Sequence, residues 1–344
     1  MSLNRSTVIR NLEIKPGLVL APMSGVTCSA FRTLIKELNP DSVGLVVSEF
    51  ISVEGLTRES VRSRDMMRFR EMERPFGIQI FGYDIQRMRD AALMVQDAGA
   101  DLVDINCGCP APKVVKRGGG CELMRQPEHL SKILHEVRKA VQIPLTLKMR
   151  SGWDETSKNS IDIARMAEAE GVESLAVHGR TRSQLYRGQA DWSIVEAVAD
   201  SVSIPVFGSG DVVDAKTAQE RWRGKVAGLY IGRGAMENPL VFTQLAKGQA
   251  PELRHSERLV LGILLRYLEL LRQDYPDKAV IGRFKQLVTQ MCRGYAWRKD
   301  ICRAMTLDEQ MRILSAIQDG TFRSPHAGES GVGCLQNDCE RSST

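Results

Sequence analysis

The chain has 344 residues, of which 43% are hydrophobic and 26% are charged, with a net charge of +5. This composition excludes an intrinsically disordered chain and predicts one large domain with a smaller one. The amino-terminal segment has no uninterrupted apolar stretch of the signal-peptide kind, and no segment reaches the roughly 18 apolar residues that span a bilayer. We therefore expect a cytoplasmic protein with no membrane partner. The eight cysteines are expected to be mostly free thiols rather than a disulfide framework.

Eight short apolar segments recur along the first two thirds of the chain. In order they are LVLAP, LVVSEF, FGIQIF, LVDIN, PLTLKM, SLAVHG, PVFGSG and GLYIGR. They do not alternate apolar and polar residues, which is typical of strands that are buried on both faces of a parallel sheet. These segments therefore predict eight strands of one such sheet.

Helical patterns separate these segments. Asp84 is suited to cap a helix that Gly99 can end, and Pro127 is suited to open another that ends before Pro144. Eight strand–helix units predict an α/β protein with a (β/α)8 TIM barrel. The likeness of GADLVDINCG to GVESLAVHGR supports a repeated unit. A doubly wound open sheet is the alternative, but its Gly-rich turn is not present after the first segment.

The pattern changes after about residue 255, where only helical periodicity continues. We predict a barrel domain over residues 1–250 and a helical domain over residues 251–319. Residues 320–344 are rich in Gly, Ser and charge, which predicts a disordered tail. We expect the protein to be a monomer.

In a barrel of this class the active site lies at the carboxyl ends of the strands. Polar and glycine residues are concentrated after the apolar segments, and include Glu49, Asn106, Cys107, Cys109, Arg150 and Arg180. Cys109 taken alone is best explained as a buried apolar thiol. Cys107, Cys109 and Cys121 could in principle bind zinc or a cluster, but their spacing is not one of the usual kinds, so we expect no metal.

Two glycine-rich segments, GSGD and IGRGA, follow the seventh and eighth predicted strands. Glycines there allow backbone N–H groups to approach a phosphate, and Arg233 adds positive charge. The alternative is that the glycines only permit tight turns. Lys148 ends the fifth strand, where a lysine is costly unless it faces an anion such as reduced flavin. A structural pair with Glu49 is the alternative for Lys148.

A basic segment lies in the predicted helical domain. Between residues 278 and 303 there is one acid, Asp300, and there are seven basic residues: Lys278, Arg283, Lys285, Arg293, Arg298, Lys299 and Arg303. A solvated helix face is the ordinary explanation, whereas a surface that follows RNA phosphates is the functional one. Lys113 in the loop beyond Cys109 is expected to extend that surface.

Five segments together resemble a known family. APMSGVT, DINCGCP, LTLKMRSGW, LAVHGRTR and LYIGRGA occur in this order and resemble motifs of the tRNA-dihydrouridine synthases, which are FMN-dependent barrel enzymes. The resemblance extends from about residue 18 to about residue 315. It implies that the protein reduces specific uridines in tRNA to 5,6-dihydrouridine, with FMN as cofactor and NADPH or NADH as reductant.

The resemblance also implies roles for individual residues. FMN would be contacted by Pro22, Met23, Ser24, Gln79, Lys148, His178, Ser209, Gly210, Asp211, Gly232 and Arg233, the last five at its phosphate. Cys109 would be the acid that protonates C5 of uracil after hydride from N5 of FMN reaches C6. Asn106 would hydrogen-bond the target uracil. Separately from the resemblance, we expect the tRNA to be contacted by Arg180 at the end of the sixth strand and by Lys113, Arg283 and Lys285 of the basic surface.

Two other functions remain open at this point. An FMN barrel that acts on a free small molecule shares the phosphate loops, but the basic helical segment argues against it. An RNA-binding barrel without catalysis is the other, and Cys109 and Lys148 argue against it.

Overall fold

A computed structural model describes residue 3, residues 5–249 and residues 255–323. The chain opens with an antiparallel hairpin of β1 (Thr7–Ile9) and β2 (Leu12–Ile14). A nine-stranded parallel sheet follows. Its strands are β3 (Leu18–Leu20), β4 (Leu45–Val47), β5 (Ile51–Ser52), β6 (Phe76–Phe81), β7 (Leu102–Cys107), β8 (Leu145–Arg150), β9 (Ser174–His178), β10 (Val206–Ser209) and β11 (Val226–Ile231).

The sheet closes on itself. Strand β4 pairs with both β3 and β6, and β11 pairs with β3, so that eight strands form a complete ring and the short β5 lies beside β6. This confirms the predicted (β/α)8 barrel and all eight apolar segments as strands. The hairpin and β5 were not predicted, because strands of two or three residues have too few positions to show a period.

Helices connect the strands on the outside of the barrel. They are α1 (Ser29–Leu38), α2 (Val53–Thr57), α3 (Val61–Asp65), α4 (Ile85–Asp97), α5 (Pro112–Val115), α6 (Pro127–Ala140), α7 (Ser160–Ala169), α8 (Trp192–Ser201), α9 (Ala215–Arg221), α10 (Arg233–Glu237) and α11 (Val241–Lys247). Asp84 caps α4 by accepting a hydrogen bond from the backbone N–H of Arg87. Gly99, which follows α4, has φ +81°, and Pro127 opens α6. Both helix predictions are confirmed.

Two apolar clusters hold the barrel together. The larger one fills the space between the strands and the surrounding helices. The smaller one includes Val47, Leu102 and Phe207 of three barrel strands, together with Ile9 and Ile14 of the hairpin. Because the hairpin directly precedes β3, it covers the amino-terminal end of the barrel. The opposite end, where the strands finish, is left for a site.

After the barrel the described chain is helical, with α12 (Glu257–Asp274), α13 (Asp277–Met291), α14 (Arg298–Arg303) and α15 (Leu307–Gln318). The buried ring of Tyr267 meets that of Phe31 edge to face at 6.0 Å between centroids, so α12 packs on α1. The helical character predicted beyond residue 255 is confirmed, whereas the domain limits at 250 and 319 stay predictions. Most of the predicted tail, residues 324–344, lies outside the described residues.

Candidate active site

The strand register places several of the predicted residues side by side at the carboxyl end of the barrel. Asn106 of β7 is opposite Lys148 of β8. Arg150 at the end of β8 is opposite His178 of β9, and His178 is opposite Ser209 of β10. A polar arc therefore runs across four neighbouring strands, as expected for the active-site end of a barrel.

A buried chain of hydrogen bonds leads along this arc to Cys109. The side-chain amide of Gln79 donates to Asp104 at 2.6 Å, and that of Asn106 donates to the Gln79 carbonyl oxygen at 2.7 Å. The Asn106 oxygen then accepts from the backbone N–H groups of Gly108 and Cys109, at 3.2 and 2.9 Å. Asn106 therefore fixes the main chain of Cys109, a role that its sequence motif alone did not reveal. One amide hydrogen of Asn106 remains for a ligand.

Two cysteines, two residues apart, have different surroundings. Cys107 has no exposed surface and belongs to the apolar cluster between strands and helices, whereas Cys109 lies at the barrel mouth and retains 9% exposure. Burial raises the pKa of the Cys109 thiol above its ordinary value, and Lys148 and Arg150 oppose that shift only in part. Cys109 is therefore a protonated thiol at neutral pH, able to donate a proton.

Lys148 has a perturbed ammonium group. Burial, reinforced by the neighbouring charge of Arg150, lowers its pKa to about 8. In the part of the chain that the structure describes, no carboxylate forms an ion pair with it. Glu49, the alternative partner, instead accepts hydrogen bonds from Arg283 at 2.8 Å and from the backbone N–H of Gly25 at 2.5 Å. The charge of Lys148 is therefore left for an anionic ligand.

His178 is neutral. Burial, with the positive charges of Arg150 and Lys148, holds its pKa well below the ordinary value. Its Nδ1 accepts the backbone N–H of Arg180 at 3.1 Å, so the neutral ring carries its proton on Nε2. Nε2 lies beside the loop after β10, since a Cβ at Gly210 would be 3.7 Å from it. The neutral ring therefore has an N–H donor next to this loop.

The loop after β10 requires glycine at position 210. Gly210 has φ +125°, and a Cβ there would meet the Cβ of Ala190 at 2.6 Å. Asp211, at φ +53°, accepts two hydrogen bonds from Arg180, both at 2.8 Å, and one from Arg233 at 3.1 Å. The carboxylate of Asp211 therefore holds two arginines beside this loop, and its predicted place at a cofactor phosphate stays a prediction.

Two predicted substrate residues have internal partners. Arg180 is 2% exposed and its guanidinium also donates to the carbonyl oxygen of Gly188 at 2.6 Å. Arg283 of α13 donates to the carbonyl oxygen of Gly25 at 3.0 Å as well as to Glu49. Gly25 is thus held at both its N–H and its C=O by a bridge between the helical region and the loop Pro22–Gly25 after β3. Sequence reasoning missed this bridge because its residues are far apart in the chain.

The remaining predicted residues lie at or near the surface. Lys113 is exposed on α5, in the loop that follows Cys109, and Lys285 is partly exposed on α13. Gly232 precedes α10, and the side chain of Arg233 is about half exposed, at 51%. Within residues 5–249 and 255–323, no group of three or more His, Cys, Asp or Glu side chains is arranged to hold a metal. The described helices include none that is long and apolar enough to cross a membrane.

A closed parallel barrel with a protonated thiol, a lysine and two glycine-rich loops at its carboxyl end is the architecture of a barrel enzyme. A family model described as Dihydrouridine synthase (Dus) matches residues 19–320. The chain belongs to the dihydrouridine synthase family.

Curated relatives agree with the family model. A protein of Pseudomonas putida named tRNA-dihydrouridine synthase B is 41% identical over 278 residues, which cover 78% of this chain and 80% of the relative. A protein of the same name from Vibrio cholerae is 39% identical and covers 90% of this chain and 98% of the relative. Among solved structures, a 2-naphthoyl-CoA reductase complex matches with a TM-score of 0.55 at 16% identity, over 72% of this chain and 52% of that chain. That likeness shows the fold alone.

Proposed function

We propose that the protein reduces uridines in tRNA to 5,6-dihydrouridine, with FMN as cofactor and NADPH or NADH as reductant. The observation that carries the proposal is Cys109, a thiol kept protonated by burial and oriented through Asn106 at the catalytic end of a dihydrouridine synthase barrel. Nucleophilic cysteines are the opposite case, because their pKa is lowered.

The residues present fit FMN. Lys148 supplies an ammonium group without an ion-pair partner in the described chain, which suits the negatively charged edge of a reduced isoalloxazine ring. Gln79 accepts a hydrogen bond from Asn106, and Asn106 is opposite Lys148 in the strand register. The loop Pro22–Ser24, which follows β3 and is held through Gly25, would contact the ring.

The phosphate of FMN fits the loops after β10 and β11. Ser209, Gly210 and Gly232 would offer backbone N–H groups, and Arg233 would offer a guanidinium that remains half exposed. The Nε2–H of His178 lies beside the same loop and would be a further donor. We assign Asp211 to orienting Arg233 rather than to direct contact, because its carboxylate already accepts hydrogen bonds from both neighbouring arginines.

The reaction adds a hydride and a proton across the C5–C6 bond of uracil. FMN, when bound, supplies the hydride to C6. Cys109 donates its thiol proton to C5, and the thiolate then recovers a proton from water. The free amide hydrogen of Asn106 is available to a uracil carbonyl oxygen. Lys148 and Arg150, whose charges act on the Cys109 thiol, stabilise the thiolate while it exists.

A uridine inside folded tRNA must be unstacked to reach Cys109, which costs a few kcal/mol. Contacts with the RNA backbone offset that cost, and Lys113 and Lys285 are the predicted residues that remain accessible for them. Arg180 and Arg283 act indirectly in this proposal, since one supports the loop after β10 and the other supports the loop after β3.

The proposal is tested on the purified full-length chain. We expect a yellow protein with a flavin spectrum that forms dihydrouridine on unmodified tRNA when NADPH is supplied. A colourless protein would refute the cofactor assignment. A protein that turns over a free dihydroorotate or enoate substrate and leaves tRNA unchanged would refute the substrate assignment.

A further inference from the structure

Two arginines share one indole ring at the mouth of the barrel. The guanidinium carbons of Arg125 and Arg182 each lie 4.6 Å from the centre of the Trp153 ring. Arg125 ends the 3-10 turn Gly120–Arg125, Trp153 follows β8, and Arg182 follows β9. Three loops from the carboxyl end of the barrel therefore converge on this cluster.

The cluster is rigidly supported. The backbone N–H of Arg182 donates to the carbonyl oxygen of Gly152 at 2.9 Å, and the N–H of Ser183 donates to the carbonyl oxygen of Trp153 at 2.9 Å. These bonds join the loops after β8 and β9. A guanidinium that already lies over an aromatic ring has less conformational freedom to lose when it binds a ligand.

The guanidinium of Arg182 has no polar partner in the described chain. Its buried Nε–H donates to no acceptor, and no carboxylate among the described residues forms an ion pair with the guanidinium. Arg180, two residues earlier, differs because Asp211 binds it at 2.8 Å. Arg125 forms an ion pair with Glu122 at 3.3 Å and keeps 53% of its side chain exposed. Within the cluster, the charge of Arg182 is therefore the one that no described carboxylate neutralises.

The cluster lies near Cys121, which is hydrogen-bonded through its backbone to Cys109. Arg182 is close enough to Cys121 for its charge to oppose the burial that raises the pKa of that thiol to about 12. The backbone N–H of Cys121 in turn donates to the carbonyl oxygen of Cys109 at 3.1 Å. An RNA strand that delivers a base to Cys109 would therefore run close to the cluster.

We propose that Arg125 and Arg182, braced by Trp153, bind a backbone phosphate of the RNA strand next to the target uridine. Planar guanidinium groups suit this ligand because their paired N–H donors match phosphate oxygens. The inference rests on the proposed function, since it needs an RNA substrate. The phosphates of a dinucleotide reductant are a different ligand, and the test separates the two.

The experiment uses the full-length flavoprotein and unmodified tRNA. The variants are Arg182→Ala, Arg182→Lys and Arg125→Ala, and the measurements are tRNA affinity at several KCl concentrations and flavin reduction by NADPH without tRNA. We expect Arg182→Ala to weaken tRNA binding about tenfold and to reduce the slope of log affinity against log salt by about 1. Arg125→Ala should weaken tRNA binding less than Arg182→Ala, because Arg125 also pairs with Glu122, and Arg182→Lys should retain the slope but lose affinity.

Arg223→Ala is the matched control, because Arg223 is exposed before β11 at the other end of the barrel; its tRNA affinity should equal that of the wild type. Slower flavin reduction by NADPH with unchanged tRNA affinity would overturn the proposal in favour of a dinucleotide site. A lower melting temperature with unchanged affinity and salt slope would overturn it in favour of a purely structural brace. If the wild-type protein itself fails to bind or modify tRNA, the proposed function fails. That outcome is distinguishable from failure of the phosphate-site proposal, in which the wild type binds tRNA and the variants bind it equally well.

Discussion

The helical region and the carboxyl-end loops of the barrel both contain many basic residues, but they use them differently. In the helical region, Arg266 pairs with Glu37 at 2.6 Å and Arg283 pairs with Glu49 at 2.8 Å, so these charges fasten the helices to the barrel. At the barrel mouth, Arg180 and Arg233 pair with Asp211, whereas Lys148 and Arg182 form no ion pair with a described carboxylate. Of the seven basic residues counted between residues 278 and 303, Arg283 is therefore held by Glu49 and is less available to a polyanion than its charge alone suggests.

The largest expected effect concerns the thiol at the barrel mouth. Cys109→Ala should keep its bound flavin and its oxidation of NADPH but lose about 100-fold or more in dihydrouridine formation, because a general acid contributes about 10²–10⁴-fold. Cys107→Ala, which removes a thiol from the apolar cluster, is the control and should retain most activity. Equal losses in both variants would show that the proton donor has been misassigned. Product is measured on tRNA, and NADPH oxidation is followed separately.

The next effect tests whether Arg283 fastens the two regions or binds RNA. Arg283→Ala leaves the buried carboxylate of Glu49 without its cation, which should lower the free energy of unfolding by about 3 kcal/mol. The variant should also bind flavin more weakly, because the loop at Gly25 loses the hydrogen bond from Arg283. Lys285→Ala, on the same helix, should leave the melting temperature unchanged and weaken tRNA binding more at low salt than at high salt. A variant Arg283→Ala with normal stability and flavin content but weak tRNA binding would restore the RNA-contact role predicted from sequence.

Sequence reasoning predicted the barrel well because parallel strands are apolar on both faces and alternate with helices. It also located the ends of β7 and β8, where Asn106, Cys109 and Lys148 meet. It did not find the partners of Arg180 and Arg283, because Asp211 and Glu49 are distant in the chain and an ion pair leaves no local periodicity. The hairpin at the other end of the barrel was not predicted for a different reason: its strands have three residues each, too few to show a period.

Lys148 gives a smaller effect with opposite signs for stability and function. Its pKa is lowered from 10.5 to about 8, so the folded state binds fewer protons than the unfolded state between these values, and stability rises as the pH increases through this window. Lys148→Met removes the buried charge and should raise the free energy of unfolding of the flavin-free protein by about 1–3 kcal/mol. The same change should weaken flavin binding. The wild-type protein should lose flavin affinity above about pH 8, where Lys148 loses its proton, whereas the affinity of the variant should not change with pH in this range. Denaturant titrations at pH 7 and flavin titrations from pH 6 to 9.5 measure the two effects, and a variant that is both less stable and equally tight for flavin would contradict this account.

The smallest effect tests whether the exposed ion pairs of the helical region matter at all. Arg266→Ala removes the pair with Glu37, but both side chains are partly solvated, at 38% and 28% exposure, and Arg266 also contacts Glu269 on its own helix. We expect a loss of about 0.5 kcal/mol in the free energy of unfolding, which 0.5 M NaCl should largely remove because exposed pairs are screened by salt. Activity and flavin content should not change. A loss as large as that of Arg283→Ala would mean that the helices are held on the barrel by many pairs of equal weight, so that the distinction between the buried bridge at Gly25 and the outer ion pairs would no longer stand.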